Sequence, residues 1–241
     1  MSPEPMPPVA ILAGGLATRL RPVTETVPKS LISVADQPFI AHQLQLLRRE
    51  RTERVVLCVG HLGSMIRDVV GDGHQFGLDV AYSFDGDRLR GTGGALGHAL
   101  GLLGPTFFVL YGDSYLDVSF APILAAFRRS GALALMTVFR NDGRWDTSNV
   151  LFDGTWVTRY DKRDPAPNMR YIDYGLSILT PEALDQRRGV ESFDLADVFS
   201  ALAAAGQLAG YEIKRRFYEI GTPDGLAQTD HYLRGMRPER Q

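Results

Sequence analysis

Between residues 9 and 139, short runs of apolar, often β-branched residues alternate with segments whose apolar residues recur at helical spacing, and few architectures accommodate that rhythm. Residues 9–13, 54–59, 78–84, 106–110 and 132–139 read as strands. Residues 40–51, 61–70, 94–103 and 120–129 read as the helices between them, with Gly71-Asp72-Gly73 supplying turn chemistry after the second. Strands that are apolar along their whole length are buried on both faces, so this alternation predicts a sheet with helices packed on either side. After about residue 140 the rhythm changes. Residues 149–152, 156–160, 171–179, 208–213 and 217–220 read as strands, and residues 181–186, 195–205 and 223–234 as helices. The expectation is an α/β chain: a Rossmann-like, three-layer α/β/α arrangement around a mixed, mostly parallel central sheet. Such sheets bind ligands outside the C-terminal ends of their strands.

Composition narrows the function classes. The 241 residues are 44% hydrophobic and 22% charged, enough apolar material for a sizeable core. Lys and Arg number 26 against 28 Asp and Glu, a net charge of −2, so the chain lacks the general basic character of a nucleic-acid binder. The single cysteine, Cys58, excludes a disulfide framework and sits in an apolar run, where it reads as core. Residues 1–8 are proline-rich without a signal-peptide pattern, and are expected to form a short disordered lead. No apolar stretch approaches the ~20 residues of a membrane span, so a cytoplasmic protein without membrane partners is expected.

The first strand runs straight into Leu12-Ala13-Gly14-Gly15-Leu16-Ala17-Thr18-Arg19-Leu20. A glycine pair there lets backbone N–H groups approach phosphate oxygens without Cβ interference, and Arg19 adds a forked cation. A tight turn between strand and helix would use the same glycines. A connection of roughly two dozen residues then follows, stiffened by Pro22, Pro28 and Pro38 and carrying Lys29; connections this long in a compact domain are commonly functional. The loop is neither a Walker A motif nor a G-x-G-x-x-G fingerprint, which argues against a nicotinamide-dependent dehydrogenase.

Taken together, Leu12-Ala13-Gly14-Gly15-x-x-Thr18-Arg19-Leu20-x-Pro22-x-Thr24, then Pro28-Lys29-x-Leu31 and Pro38, resemble the signature of the sugar-1-phosphate nucleotidyltransferases. The resemblance runs from Val9 to about Asp230 and is strongest with short bacterial heptose- and mannose-1-phosphate guanylyltransferase-like enzymes. It implies one domain over residues 9–241, with a nucleotide-binding part (9–140) and a sugar-phosphate-binding part (141–235). By resemblance, Arg19 contacts the leaving pyrophosphate and Lys29 the reacting phosphates. One departure is Ala17, where the family usually has glycine; an alanine restricts the loop if that position requires a positive φ.

Further segments complete the expected site. Leu12, Ala13, Gly14 and Gly15, then Asp85 after the third strand, Gly91, Thr92 and Gly93 in Arg90-Gly91-Thr92-Gly93-Gly94-Ala95, and Gly112 are the nucleotide-binding candidates. The G-T-G-G form is more like that of guanylyltransferases, and it is the hint for GTP. Asp113, in Tyr111-Gly112-Asp113 at the end of a buried strand, is placed to hold a hard cation such as Mg²⁺. The resemblance makes Asp113 a metal ligand and Glu219, where the family usually has aspartate, the second. Tyr160-Asp161-Lys162 resembles an E-K-P segment whose lysine contacts the sugar phosphate, and Asp161, Asn149, Asp173 and Gly175 match sugar-facing positions. Asp117 reads as a helix cap, and His42, His61, His74, His98 and His231 show no paired ligand spacing.

The expected activity is transfer of a nucleoside monophosphate from an NTP, GTP favoured, to a sugar 1-phosphate, manno-configured hexose or heptose favoured, in surface polysaccharide synthesis. The alternatives are a uridylyltransferase for N-acetylmuramate or glucose 1-phosphate and, from another class, a catalytically silent nucleotide-sugar-binding regulator, which Ala17 and Glu219 would support. The expected cofactor is Mg²⁺. Relatives commonly form homo-oligomers, so self-association is also an expectation.

Overall fold

The first strand, β1 (Val9–Leu12), lies in the middle of the sheet because both of its faces are apolar. The computed structural model describes residues 5–236. Residues 1–4 of the expected disordered lead and residues 237–241 lie outside the described residues. The end of that lead is held: Met6 packs on the core, and the Pro8 carbonyl accepts the Phe108 N–H at 2.9 Å.

Along the chain, a small hairpin, β2 (Ser33–Val34) and β3 (Gln37–Pro38), precedes α1 (Phe39–Arg49). Then come β4 (Arg54–Val59), α2 (Gly63–Val70), β5 (Asp79–Phe84), α3 (Gly91–Leu103), β6 (Phe107–Tyr111) and the short β7 (Ser114–Tyr115). The remainder is α4 (Phe120–Ser130), β8 (Ala134–Arg140), β9 (Val150–Phe152), β10 (Val157–Tyr160), β11 (Tyr171–Leu179), α5 (Leu195–Ala204), β12 (Leu208–Ile213), β13 (Tyr218–Glu219) and α6 (Pro223–Gly235). The segment expected as a helix at 181–186 is a tighter 3₁₀ turn, Pro181–Arg187.

The sheet is mixed and mostly parallel, with helices on both faces, as the apolar rhythm requires. β5, β4, β1 and β6 are parallel neighbours in that order. β11 follows, antiparallel to both β6 and β8, and β12 lies parallel to β8 at the far side. The β9–β10 hairpin joins at the start of β11. Alternate residues of one strand serve different cores: Val9 and Ile11 of β1 pack with Ile40 and Leu44 of α1, while Ala10 packs with Leu96 of α3 and Phe199 of α5. Burying each such Ile or Leu contributes about 1.5–3 kcal/mol. The two parts of the chain share the sheet and both of these cores, which include Val150, Tyr160 and Leu208 on the α3 side and Tyr174 and Leu176 on the other.

A third, smaller cluster pins the hairpin. Val34, Phe39, Tyr115, Ile220 and Leu233 pack together beneath β2–β3 and α6. Asp230 of α6 accepts the Ala35 N–H at 2.7 Å, and Arg234 grips Asp36 with two nitrogens at 2.8 and 3.0 Å. Helix ends follow local chemistry: Thr222 caps α6, with Pro223 in its first turn, and Asp194 caps α5. Asp117 does not cap α4. Glu50 reaches from the end of α1 to accept the Phe120 N–H at 2.9 Å, and Asp117 instead accepts from Arg215 and from the Tyr232 hydroxyl.

Candidate active site

The chain order fixes where a ligand can sit. From β1 the chain winds outward through β4 to β5, then returns through α3 to β6 on the other side of β1. At such a reversal the connections leave β1 and β6 in opposite directions and open a crevice above their C-terminal ends. A cavity of about 260 Å³ lies there, lined by Leu12, Ala13, Gly14, Gly15, Asp85, Gly91, Thr92 and Gly112 among the expected residues, and by Lys29 and Asp113. Gly112 is demanded by packing as well: a Cβ there would stand 2.7 Å from the Leu12 carbonyl oxygen.

One end of the cavity is formed by the first glycine loop together with Lys29 and Asp113. Gly15 faces open space, with nothing within 4 Å of where a Cβ would be. Ala17 is left-handed, φ 48° and ψ 45°, so the position does require the conformation that glycine adopts freely. The buried Thr24 holds this turn by donating its hydroxyl to the Ala17 carbonyl at 2.8 Å. Arg19 follows on an exposed turn and makes no ion pair among the described residues. Lys29, despite lying 84 residues from Asp113, meets its Oδ2 at 2.9 Å.

Across from this pair stands Glu219. β13 pairs with β7 so that Glu219 lies opposite Ser114, and the Ile220 N–H donates to the Asp113 carbonyl at 2.9 Å. Burial raises the Glu219 carboxyl above its ordinary range and the nearby Asp113 charge raises it further, while Arg19 and Lys29 oppose both. Asp113 and Glu219, a carboxylate pair facing the same end of the cavity, form a donor set that fits Mg²⁺. That ion takes one or two protein carboxylates and completes its shell with substrate phosphates and water.

Asp85, which is buried, lines the other end with Leu89, and burial raises the Asp85 carboxyl while the Arg90 N–H and guanidinium pull it down. Cys58, on the floor, has its thiol pushed up to about 12 by burial, so it is inert core, as its apolar run suggested. The second glycine segment corrects an expectation. Gly93 does not reach the cavity: its N–H donates to the Phe193 carbonyl at 3.0 Å, and a Cβ would lie 2.3 Å from the Phe193 ring. Thr92 lines the cavity, but its hydroxyl is engaged with the Asp194 carboxylate at 2.8 Å and the Leu195 N–H.

The sugar-side candidates converge on the β6 end from β10 and β11. A bulge in β11 between Asp173 and Ser177 gives Gly175 a φ of 98°, where a Cβ would lie 3.4 Å from the Ser114 hydroxyl oxygen. Asp173 accepts the Gly175 N–H at 2.9 Å; burial raises its carboxyl, and the Lys162 charge is the largest influence opposing that rise. Asn149 is a staple, its carbonyl accepting the Asp161 N–H at 3.0 Å and its side chain the Asp173 N–H at 3.4 Å. Asp161 departs from the sugar-facing role. Its carboxylate accepts the N–H groups of Asp164 and Arg163 and an Arg159 nitrogen, which hold it below the usual carboxylate range. Tyr111, whose ring lies 5.6 Å from the Lys162 ammonium, was not anticipated, because an aromatic closing an apolar strand reads as core.

Known proteins share both the motifs and the fold. The sequence model of the nucleotidyl transferase family matches residues 9–234. The UTP–glucose-1-phosphate uridylyltransferase of Synechocystis sp. is 32% identical over 81% of this chain and 55% of its own length. The mannose-1-phosphate guanylyltransferase catalytic subunit beta of Danio rerio is 28% identical over 95% of this chain and 66% of its own. The chain thus spans between about half and two thirds of the length of these curated relatives. Among solved structures, HddC from Yersinia pseudotuberculosis superposes with a TM-score of 0.80 at 21% identity, covering 95% of this chain and 100% of that one, which speaks to fold alone. Among the described residues no helix is long and apolar enough to cross a membrane. With its family pattern matched from Val9 through the last helix and its site assembled at the sheet's reversal point, the chain belongs to the nucleotidyl transferase family.

Proposed function

We propose that this chain transfers a nucleoside monophosphate from an NTP to a sugar 1-phosphate and releases pyrophosphate. The observation that carries the reading is the meeting of Lys29 and Asp113 at 2.9 Å at the phosphate end of the cavity, with Glu219 beside them. In the reaction an oxygen of the sugar phosphate attacks the α-phosphorus in line, the bond to the β-phosphate oxygen breaks, and pyrophosphate leaves. The attacking oxygen is already ionised near neutral pH, so positioning and charge neutralisation are what the protein must supply. The open backbone at Gly15, together with Arg19, holds the departing pyrophosphate; Lys29 neutralises the α-phosphate; Lys162 holds the sugar phosphate. Asp113 and Glu219 would hold Mg²⁺, which when bound offsets charge on the phosphates.

GTP is the favoured nucleotide. A carboxylate at the base end, Asp85, suits guanine, whose edge presents N1–H and N2–H₂ donors side by side. Uracil offers one N–H flanked by two carbonyl oxygens, which a carboxylate repels. The G-T-G-G segment and the guanylyltransferases among the relatives agree. HddC has been crystallised with GMP-PN. A manno-configured hexose or heptose 1-phosphate, for surface polysaccharide synthesis, is the favoured acceptor. The silent-regulator alternative is less favoured, because Ala17 takes up the left-handed turn despite its Cβ and the Glu219 carboxylate stands in the field of Asp113.

Purified protein with Mg²⁺, each of GTP, UTP, dTTP, CTP and ATP, and a panel of mannose, heptose, glucose and N-acetylmuramate 1-phosphates tests this through pyrophosphate release. Release that needs both substrates and falls roughly 10²–10³-fold in Asp113→Ala is expected. Nucleotide binding without release from any pair would reinstate the regulator.

A further inference from the structure

The Lys162 side chain is a flexible four-carbon stem, and a lysine that must meet a phosphate loses conformational freedom each time it does so. Among the described residues its ammonium makes no ion pair or hydrogen bond. It lies instead between two aromatic faces, 5.6 Å from the Tyr111 ring centre and 5.7 Å from that of Tyr160, both within cation–π range. Neither ring is free to drift. Tyr111 is the last residue of β6, paired in register with Leu12 of β1. Tyr160 ends β10, is buried, and meets Phe199 edge-on at 6.0 Å.

Beneath the rings, Asp173 accepts the Tyr160 hydroxyl at 3.4 Å, while the Gly175 N–H fixes its other oxygen at 2.9 Å. The arrangement joins three strands, β6, β10 and β11, under one ammonium. We propose that Tyr111, Tyr160 and Asp173 form a seat that holds the Lys162 ammonium extended toward its phosphate, with Tyr111 as the principal positioning residue. This rests on the reading of Lys162 as the contact for the sugar phosphate. The seat acts through Lys162 and touches no reacting atom. Its loss weakens capture of the sugar 1-phosphate and leaves capture of the nucleotide alone.

The test is steady-state kinetics of the full chain with GTP and mannose 1-phosphate, supported by calorimetric binding of mannose 1-phosphate alone and by melting curves. For Tyr111→Leu we expect KM for mannose 1-phosphate to rise about fivefold, the upper scale of a cation–π contact at an exposed lysine, with KM for GTP within about twofold. Tyr111→Phe, which keeps the ring, should restore KM to within about twofold of the parent. Asp173→Asn, which keeps the shape and removes the charge, should raise it by about threefold or more and carries the test if Tyr111→Leu does not fold. A rise with Lys162→Met but none with Tyr111→Leu or Asp173→Asn overturns the seat. No change with Lys162→Met overturns the reading of Lys162, and the seat with it.

Discussion

Gly15 after β1 and Gly93-Gly94 near the start of α3 sit in segments that look alike in sequence, yet they do opposite things in space. At Gly15 the missing Cβ leaves open cavity, whereas at Gly93 and Gly94 it leaves room for Phe193 and the Glu191 carbonyl. The first segment keeps backbone available to a ligand; the second uses its N–H groups to fasten α3 to the chain before α5. A glycine records only that something must come close. Whether that something is substrate or protein is decided elsewhere in the chain, here by an aromatic residue a hundred positions later.

That contrast can be broken at its packed side first. Gly93→Ala places a methyl group 2.3 Å from the Phe193 ring, and overpacking of that kind costs about 1–3 kcal/mol. The melting midpoint should fall by about 2–12 °C; an unchanged midpoint would mean that Phe193 yields freely and the segment is not a packing device. Next in size is Asp85→Asn, between the two segments. It should raise KM for GTP at least about tenfold by removing the acceptor pair at the base end. Because burial raises the Asp85 carboxyl, the folded protein holds that proton more tightly than the unfolded chain does. The favourable contribution is therefore present below the unfolded value and lost as pH rises through the folded one. The Asn variant should accordingly melt no lower than the parent at neutral pH, and a lower midpoint would mark Asp85 as structural.

Gly15→Ala sharpens the open side. With nothing within 4 Å, it should leave the melting midpoint unchanged while lowering kcat/KM for the NTP about tenfold, since phosphate must approach that backbone. Equal activity would place the phosphates elsewhere. The smallest effect is expected from Ala17→Gly, which relieves a left-handed alanine at φ 48° and should stabilise the loop by up to about 1 kcal/mol. A less stable variant would show that the entropy of an added glycine outweighs the relieved strain.

Much of this site was legible because the information is local. β1, its glycine loop and Asp113 declare themselves by pattern and place, Thr24 and Lys29 by resemblance to the family signature, and the order of strands then brings them together. What stayed hidden depends on which polar group a distant residue has already taken. Gly93 was expected at the nucleotide, but the Phe193 carbonyl takes its N–H. The Asp161 carboxylate was expected at the sugar but is bound within its own turn. Asp117 looked like a cap, yet Glu50 supplies it from another helix. The Tyr111 ring sits where an apolar run meets the cavity, and sequence pattern alone does not separate core from seat at that boundary.

The fastening of the β2–β3 hairpin by α6 has a consequence for synthesis. Asp36 and its partner Arg234 are 198 residues apart. At about 5–20 residues per second, the ribosome delivers that partner roughly 10–40 s after the hairpin itself has been made. During that interval β1, β4, β5 and β6 can already pair, while the segment that carries Lys29 still lacks its clasp. The strands up to Tyr111 are therefore able to pair during translation before the hairpin is clasped, and the end of the cavity that holds Lys29 is fastened only once α6 has been made.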